Sequence, residues 1–119
     1  MIIWGDDIGI TNLSCYSDGL MGYQTPNIDR IANEGMRFDA AFCTNSICSP
    51  SRAAILTGTY NHVNGVTTLD THLDNTLWTF PKALQEAGYT TGLFGKWHLG
   101  HGKDYDPAGF DSWRVLPDQ

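Results

Sequence analysis

The chain has 119 residues, enough for one domain, and its 41% hydrophobic and 17% charged residues make a globular composition with no low-complexity stretch and no internal repeat. Seven Lys and Arg stand against thirteen Asp and Glu, a formal net charge of −6 with no basic cluster, which disfavours nucleic acid as a partner. No apolar run reaches membrane-spanning length and no basic segment leads into an apolar one at Met1, so no membrane partner is expected.

In chain order, Met1-Ile2-Ile3-Trp4 reads as a buried strand that ends at Gly5-Asp6-Asp7. Ligands of open α/β sheets gather beyond the carboxyl ends of strands, so Asp6 and Asp7 fall where a cation could relieve their mutual repulsion. Paired hard carboxylates suit Ca²⁺, or alternatively Mg²⁺, better than softer metals; the competing reading is a solvated acidic turn. Thr25 to Gly35 predicts an amphipathic helix, with a cap candidate, Pro26 in the first turn, apolar Ile28, Ile31 and Ala32, a glycine stop and charges on the solvated face. Met36 to Ala41 follows as a short strand or extended segment.

Cys48-Ser49-Pro50-Ser51-Arg52 is the most informative stretch. Ser49 is the expected N-cap and Pro50 the first helical residue, with the helix running to Gly58, so Cys48 would sit just outside a helix N-terminus. Such an end favours an anion beside residue 48, and Arg52, one turn along, adds a forked cation. The competing reading is a buried free cysteine with Arg52 as a solvated surface charge. Cys15, Cys43 and Cys48 form an odd set without a C-x-x-C pair, which indicates neither a disulfide framework nor a zinc site. A Cys43–Cys48 disulfide would take Cys48 out of chemistry, so those two readings exclude each other.

Between Thr59 and Asn75 no period is clear, and Tyr60, His62 and His72 are read as loop residues. Thr79 to Gly88 predicts a second amphipathic helix, with Phe80, Leu84 and Ala87 on one face, and Tyr89 to Phe94 a strand. A helix between strands is the parallel crossover of α/β folds. The strand delivers Gly95-Lys96-Trp97-His98 to its carboxyl end, where an extended backbone would turn Lys96 and His98 to one face and Trp97 to the other. The competing reading of His98 is a satisfied core or surface histidine. Beyond Gly100 the chain is glycine-rich and aromatic, with no closing element expected.

Cys48 to Arg52 resembles the C-x-P-x-R signature of the type I, formylglycine-dependent sulfatases. Gly5-Asp6-Asp7 and Gly95-Lys96-Trp97-His98-Leu99-Gly100 resemble further signatures of that family, in the family's order. The resemblance implies an α/β, alkaline phosphatase-like fold, here the N-terminal part of a mainly parallel sheet flanked by helices. Residues 1–119 are then expected to form the N-terminal portion of a catalytic domain, cut at both ends.

It also implies a chemistry. Cys48 would be oxidised to formylglycine by the formylglycine-generating enzyme, and its hydrated form would attack the sulfur of a sulfate ester. Asp6, Asp7 and the group at position 48 would ligate Ca²⁺, Arg52 would orient the nucleophile, Lys96 would grip sulfate and His98 would assist its release. Phe42 to Cys48, His62 to Val66 and Gly109 to Trp113 look similar to sulfatases acting on sulfated sugars, whereas Gly19 to Tyr23 looks more like the arylsulfatases. The expected substrate is a sulfated small molecule or glycan. A phosphate or phosphonate monoester hydrolase of the same superfamily, or a non-catalytic fragment, are the alternatives.

Overall fold

The computed structural model describes residues 1–118, which divide into two compact units, the first Met1–Phe42 and the second beginning at Cys43.

In the first unit a 3₁₀ turn, Ile10–Asn12, leads into a one-turn helix α1 (Ser14–Ser17), and then helix α2 (Pro26–Glu34) follows. Pro26 occupies the first turn of α2, where its missing N–H breaks no helical bond. Thr25 does not cap the helix through its side chain. Its hydroxyl instead donates to Asp29 at 2.7 Å, while Ser14 Oγ and the Cys15 N–H reach the same carboxylate at 2.6 and 2.9 Å. The expected solvated charged face therefore holds for the exposed Arg30–Glu34 pair, at 2.9 Å, but not for Asp29. Asp29 is the polar hub that ties α1 to α2. Ser14 first, then Thr25 and the Cys15 N–H, hold its carboxyl below the usual range. Partial burial, and then the neighbouring Asp29, push the Cys15 thiol up.

Met1 to Trp4 is not a strand, contrary to expectation, and Met1, Ile2 and Ile3 are exposed. A strand exists only through its ladder partners, and no described segment pairs with this one. Residues 36–41, expected as a short strand or extended segment, likewise lie outside any sheet.

The second unit contains α3 (Cys48–Thr57), α4 (Asn61–Asn64), α5 (Phe80–Glu86), β1 (Gly92–Lys96) and β2 (Ser112–Leu116). Its core is Ala53, Leu56, Val66, Leu73, Trp97 and Leu99, with Leu77, Phe80, Leu93, Phe110 and Val115 packed around it. Two asparagines fix the segment after α3. Asn61 Nδ2 donates to Pro50 O at 2.7 Å and to Val66 O at 2.8 Å, and Asn64 takes the Val66 N–H at 2.9 Å while donating to Thr57 Oγ1 and Thr59 O.

Helix α5 ends in a Schellman turn: Gly88, at φ 85°, donates to Gln85 O, and Tyr89 N donates to Leu84 O. That turn occupies Tyr89. Thr91 is then bound at its N–H and hydroxyl by Asp111, at 2.6 and 3.0 Å, so the strand expected over 89–94 starts at Gly92 and reaches Lys96. The strand β2 was not expected. It runs parallel to β1, pairing Gly92 with Ser112 and Lys96 with Leu116, across a connection that contains no helix. Helix α5 does precede β1 as expected, but no described strand precedes α5, so the expected crossover has no first strand here. The connection from β1 to β2 is the loop 97–111, anchored by Trp97 Nε1 donating to Tyr105 O at 2.8 Å.

Candidate active site

Helix α3 begins one residue earlier than the sequence suggested. Ile47 is its N-cap and Cys48 its first residue, so Cys48 lies inside the first turn rather than outside it. Ser49 does not cap; it is fully buried, and its hydroxyl reaches Leu69 O at 3.4 Å. Pro50 still costs nothing at the third position, because the first helical bond is Ser51 N to Ile47 O at 2.9 Å. Gly58, at φ 65°, closes the helix as expected.

Cys48 and Arg52 are four residues apart and share one face of α3. Arg52 is 6% exposed, which removes the reading of a solvated surface charge. Its Nη1 donates to Lys96 O at 2.6 Å, so the guanidinium grips the last residue of β1. From that residue Lys96 Nζ reaches back and donates to Cys48 Sγ at 3.2 Å. The three side chains thus form a closed circuit between helix and strand: thiol, ammonium, strand carbonyl, guanidinium. The Lys96 ammonium and the positive end of α3 meet at position 48, with Arg52 one turn along the same helix, an electrostatic setting for an anion. The cysteines Cys15, Cys43 and Cys48 are all free thiols, so the reading of a Cys43–Cys48 disulfide falls.

His98 departs from the strand geometry expected of it. Its N–H still bonds Pro117 O at 2.9 Å, but its φ of 54° is left-handed, so the alternation that would have put it on the face of Lys96 stops before it. Trp97 packs into the core as that alternation requires. His98 Nδ1 is enclosed and has no hydrogen-bond partner among the described residues, a state that in a folded interior calls for an explanation.

Asp6 and Asp7 belong to the first unit, in an exposed turn where Asp7 has φ 57°. Among the described residues no three His, Cys, Asp or Glu side chains gather as a metal site. Sequence reasoning missed the clamps of Asn61 and Asn64 and the strand β2; the alternation of Trp113 and Val115 with Ser112, Arg114 and Leu116 was the available signal for the latter. No described helix is long and apolar enough to cross a membrane.

The family model for sulfatases matches residues 1–116. The chain belongs to the sulfatase family. An N-acetylglucosamine-6-O-sulfatase of Bacteroides thetaiotaomicron is 48% identical over 114 residues, which are 96% of this sulfatase chain and 19% of that protein. An N-acetylgalactosamine-6-sulfatase of Rattus norvegicus is 41% identical over 94% of this chain and 24% of its own length. A solved structure in complex with its substrate D-glucosamine-2-N,6-O-disulfate superposes with a TM-score of 0.87 at 48% identity, over 96% of this chain and 22% of that one. The fold is therefore the α/β, alkaline phosphatase-like fold of the sulfatases. The sulfatase chain spans about a fifth to a quarter of the length of these relatives.

Proposed function

We propose that this sulfatase chain is the N-terminal portion of a catalytic domain that hydrolyses sulfate esters of carbohydrates, with position 48 carrying the nucleophile. One observation supports the reading above the rest: Lys96 Nζ sits on Cys48 Sγ at the positive end of α3. The names of the similar proteins, both sulfatases of amino-sugar 6-sulfates, favour a sulfated glycan over an aryl sulfate.

Sulfatases typically use formylglycine and a metal. Formylglycine, made from Cys48 by a formylglycine-generating enzyme, supplies an electrophilic aldehyde whose hydrate is an oxygen nucleophile. The thiol that would be converted lies partly accessible, beside a cation rather than locked in a disulfide, which suits that chemistry. Asp6 and Asp7 offer hard oxygen donors that fit Ca²⁺, or Mg²⁺, though two residues supply only part of the six to eight oxygens calcium takes, roughly. They would hold the ion with position 48, where it would supply positive charge to sulfate oxygens.

The chain's own residues have separable tasks. Lys96, a mobile point charge, binds the sulfate oxygens as it now binds Cys48 Sγ. Arg52, buried and fixed on the carbonyl of Lys96, holds helix and strand in register so that the ammonium and position 48 stay in line. His98 moves a proton as the sulfate is released, a role worth about 10²- to 10⁴-fold in rate.

The test is Cys48→Ala in the full-length protein, assayed on a 6-sulfated amino sugar. Turnover should fall by about 10³-fold or more with the fold retained by circular dichroism, and near-normal turnover would overturn the assignment. For the metal, chelation should abolish activity and added calcium restore it; indifference to chelation, with no metal by elemental analysis, would remove Asp6 and Asp7 from the site.

A further inference from the structure

Helix α4 is a single turn, Asn61–Asn64, yet its two asparagines reach opposite ends of α3. Asn61 is buried and directs both protons of its amide into the protein, to Pro50 O at 2.7 Å and Val66 O at 2.8 Å. Its Oδ1 accepts from Thr44 Oγ1 at 3.4 Å, so this one side chain touches the backbone or side chains on both sides of Cys48. Asn64, equally buried, works at the far end of the helix. Its Nδ2 donates to Thr57 Oγ1 and Thr59 O, both at 3.2 Å, its Oδ1 accepts the Val66 N–H at 2.9 Å, and Thr57 Oγ1 in turn donates to Ala53 O at 2.7 Å. Pro50 and Thr57, the two points of attachment, lie about 10 Å apart along the helix axis.

The two ends of α3 are not equally self-supporting. At the C-terminal end Gly58 closes the helix in the left-handed conformation, its N–H donating to Ala54 O at 2.9 Å. At the start, the leading N–H groups have no helical carbonyl to reach, and the first bond is Ser51 N to Ile47 O. Cys48 is the first residue of that turn, and terminal turns are where helices fray. Lys96 Nζ comes to Cys48 Sγ from β1, a separate element, so their contact lasts only while the first turn of α3 keeps its place.

Resting on the hydrolase reading above, we propose that Asn61 is a positioning residue for the nucleophile. By holding Pro50 O it keeps the first turn of α3, and with it position 48, in line with the Lys96 ammonium. Asn64 makes a comparable set of buried hydrogen bonds but holds the end of the helix remote from the site, so it stabilises the unit without placing the nucleophile.

The two asparagines are a matched pair for a test in the full-length protein. Asn61→Ala and Asn64→Ala each empty a buried polar position, and their urea midpoints should fall by similar amounts. With N-acetylglucosamine 6-sulfate as substrate and the fold verified by circular dichroism, Asn61→Ala should lower kcat about 10- to 100-fold with KM changed less than about threefold, whereas Asn64→Ala should keep kcat within about threefold. Equal losses of kcat in the two variants, or a loss in Asn61→Ala confined to KM, would overturn the proposal. Amide exchange on the same proteins reads placement without turnover: Asn61→Ala should speed exchange at Ser51 about tenfold more than at Gly58, and Asn64→Ala the reverse. That asymmetry supports the proposal even if no sulfate ester is cleaved, an outcome that sinks only the hydrolase reading. Uniform acceleration, or none at Ser51, overturns it in a protein that still cleaves the sugar sulfate. If Asn61→Ala does not fold, Asn61→Ser, which keeps a short polar group, is put through both measurements with the same outcomes deciding.

Discussion

The two units are held together by different physics. In residues 1–42 the only buried residue is Ser14, and Ile2, Ile8, Ile10, Leu20, Ile28, Ile31 and Phe38 are all exposed. The elements there are tied by polar contacts, above all through one carboxylate, Asp29, which gathers two hydroxyls and a backbone N–H, with Tyr16 bonding Phe38 O and Arg37 bonding Cys15 O besides. In residues 43–118 every member of the apolar core is found, and the side chains of the candidate site are fastened to that core's own elements, α3 and β1. Apolar burial is non-directional and additive, whereas a hub of hydrogen bonds depends on each partner and on protonation. The candidate nucleophile and its cations stand on the unit that has the apolar core.

The largest effect that would break the comparison is in the core. Leu56→Ala should cost about 2–5 kcal/mol, read as a fall in the urea midpoint of the second unit, because the buried side chain leaves a cavity. A loss below about 0.5 kcal/mol, the surface-substitution range, would show that this core does not carry the unit. Next is Asn61→Ala, which strips a donor from Pro50 O and Val66 O together and should cost about 1–3 kcal/mol. It should also loosen the start of α3, visible as faster amide exchange at Ser51.

The smallest effect is electrostatic and separates the units by pH. The Asp29 carboxyl lies below its ordinary value because Ser14, Thr25 and Cys15 donate to it. Its stabilisation is therefore complete above the unfolded-state carboxylate value of about 4 and is lost as pH falls through the lower folded-state value. Asp111 is lowered likewise, first by the Thr91 N–H and then by its hydroxyl, but in a unit that also has a core. Acid titration followed by the amide signals of Cys15 and Thr91 should show the first unit opening at the higher pH. In Asp29→Asn the acid step at Cys15 should disappear; its persistence would refute the hub.

What the sequence made legible follows the range of the forces involved. Helices α2, α3 and α5 were readable because Pro26, Pro81, Gly58 and Gly88 act within one turn of where they sit. The start of α3 was misplaced because Ser49, a good cap in isolation, is taken by Leu69, twenty residues away. Strands depend on partners, so Met1 to Trp4 looked like one and is not, while Ser112 to Leu116 was overlooked and is one. The shared face of Cys48 and Arg52 was implicit in helical spacing. The approach of Lys96 to Cys48 spans forty-eight residues and was reachable only through the resemblance of separate motifs.

The left-handed backbone of His98, at φ 54°, has a consequence for anyone engineering this protein. An L-residue there is strained by about 1–2 kcal/mol, and glycine would relieve most of that while deleting the imidazole. Laboratory evolution towards heat resistance, run without a screen for turnover, would therefore be drawn to His98→Gly and would harvest a hardier scaffold without the imidazole proposed to carry the proton.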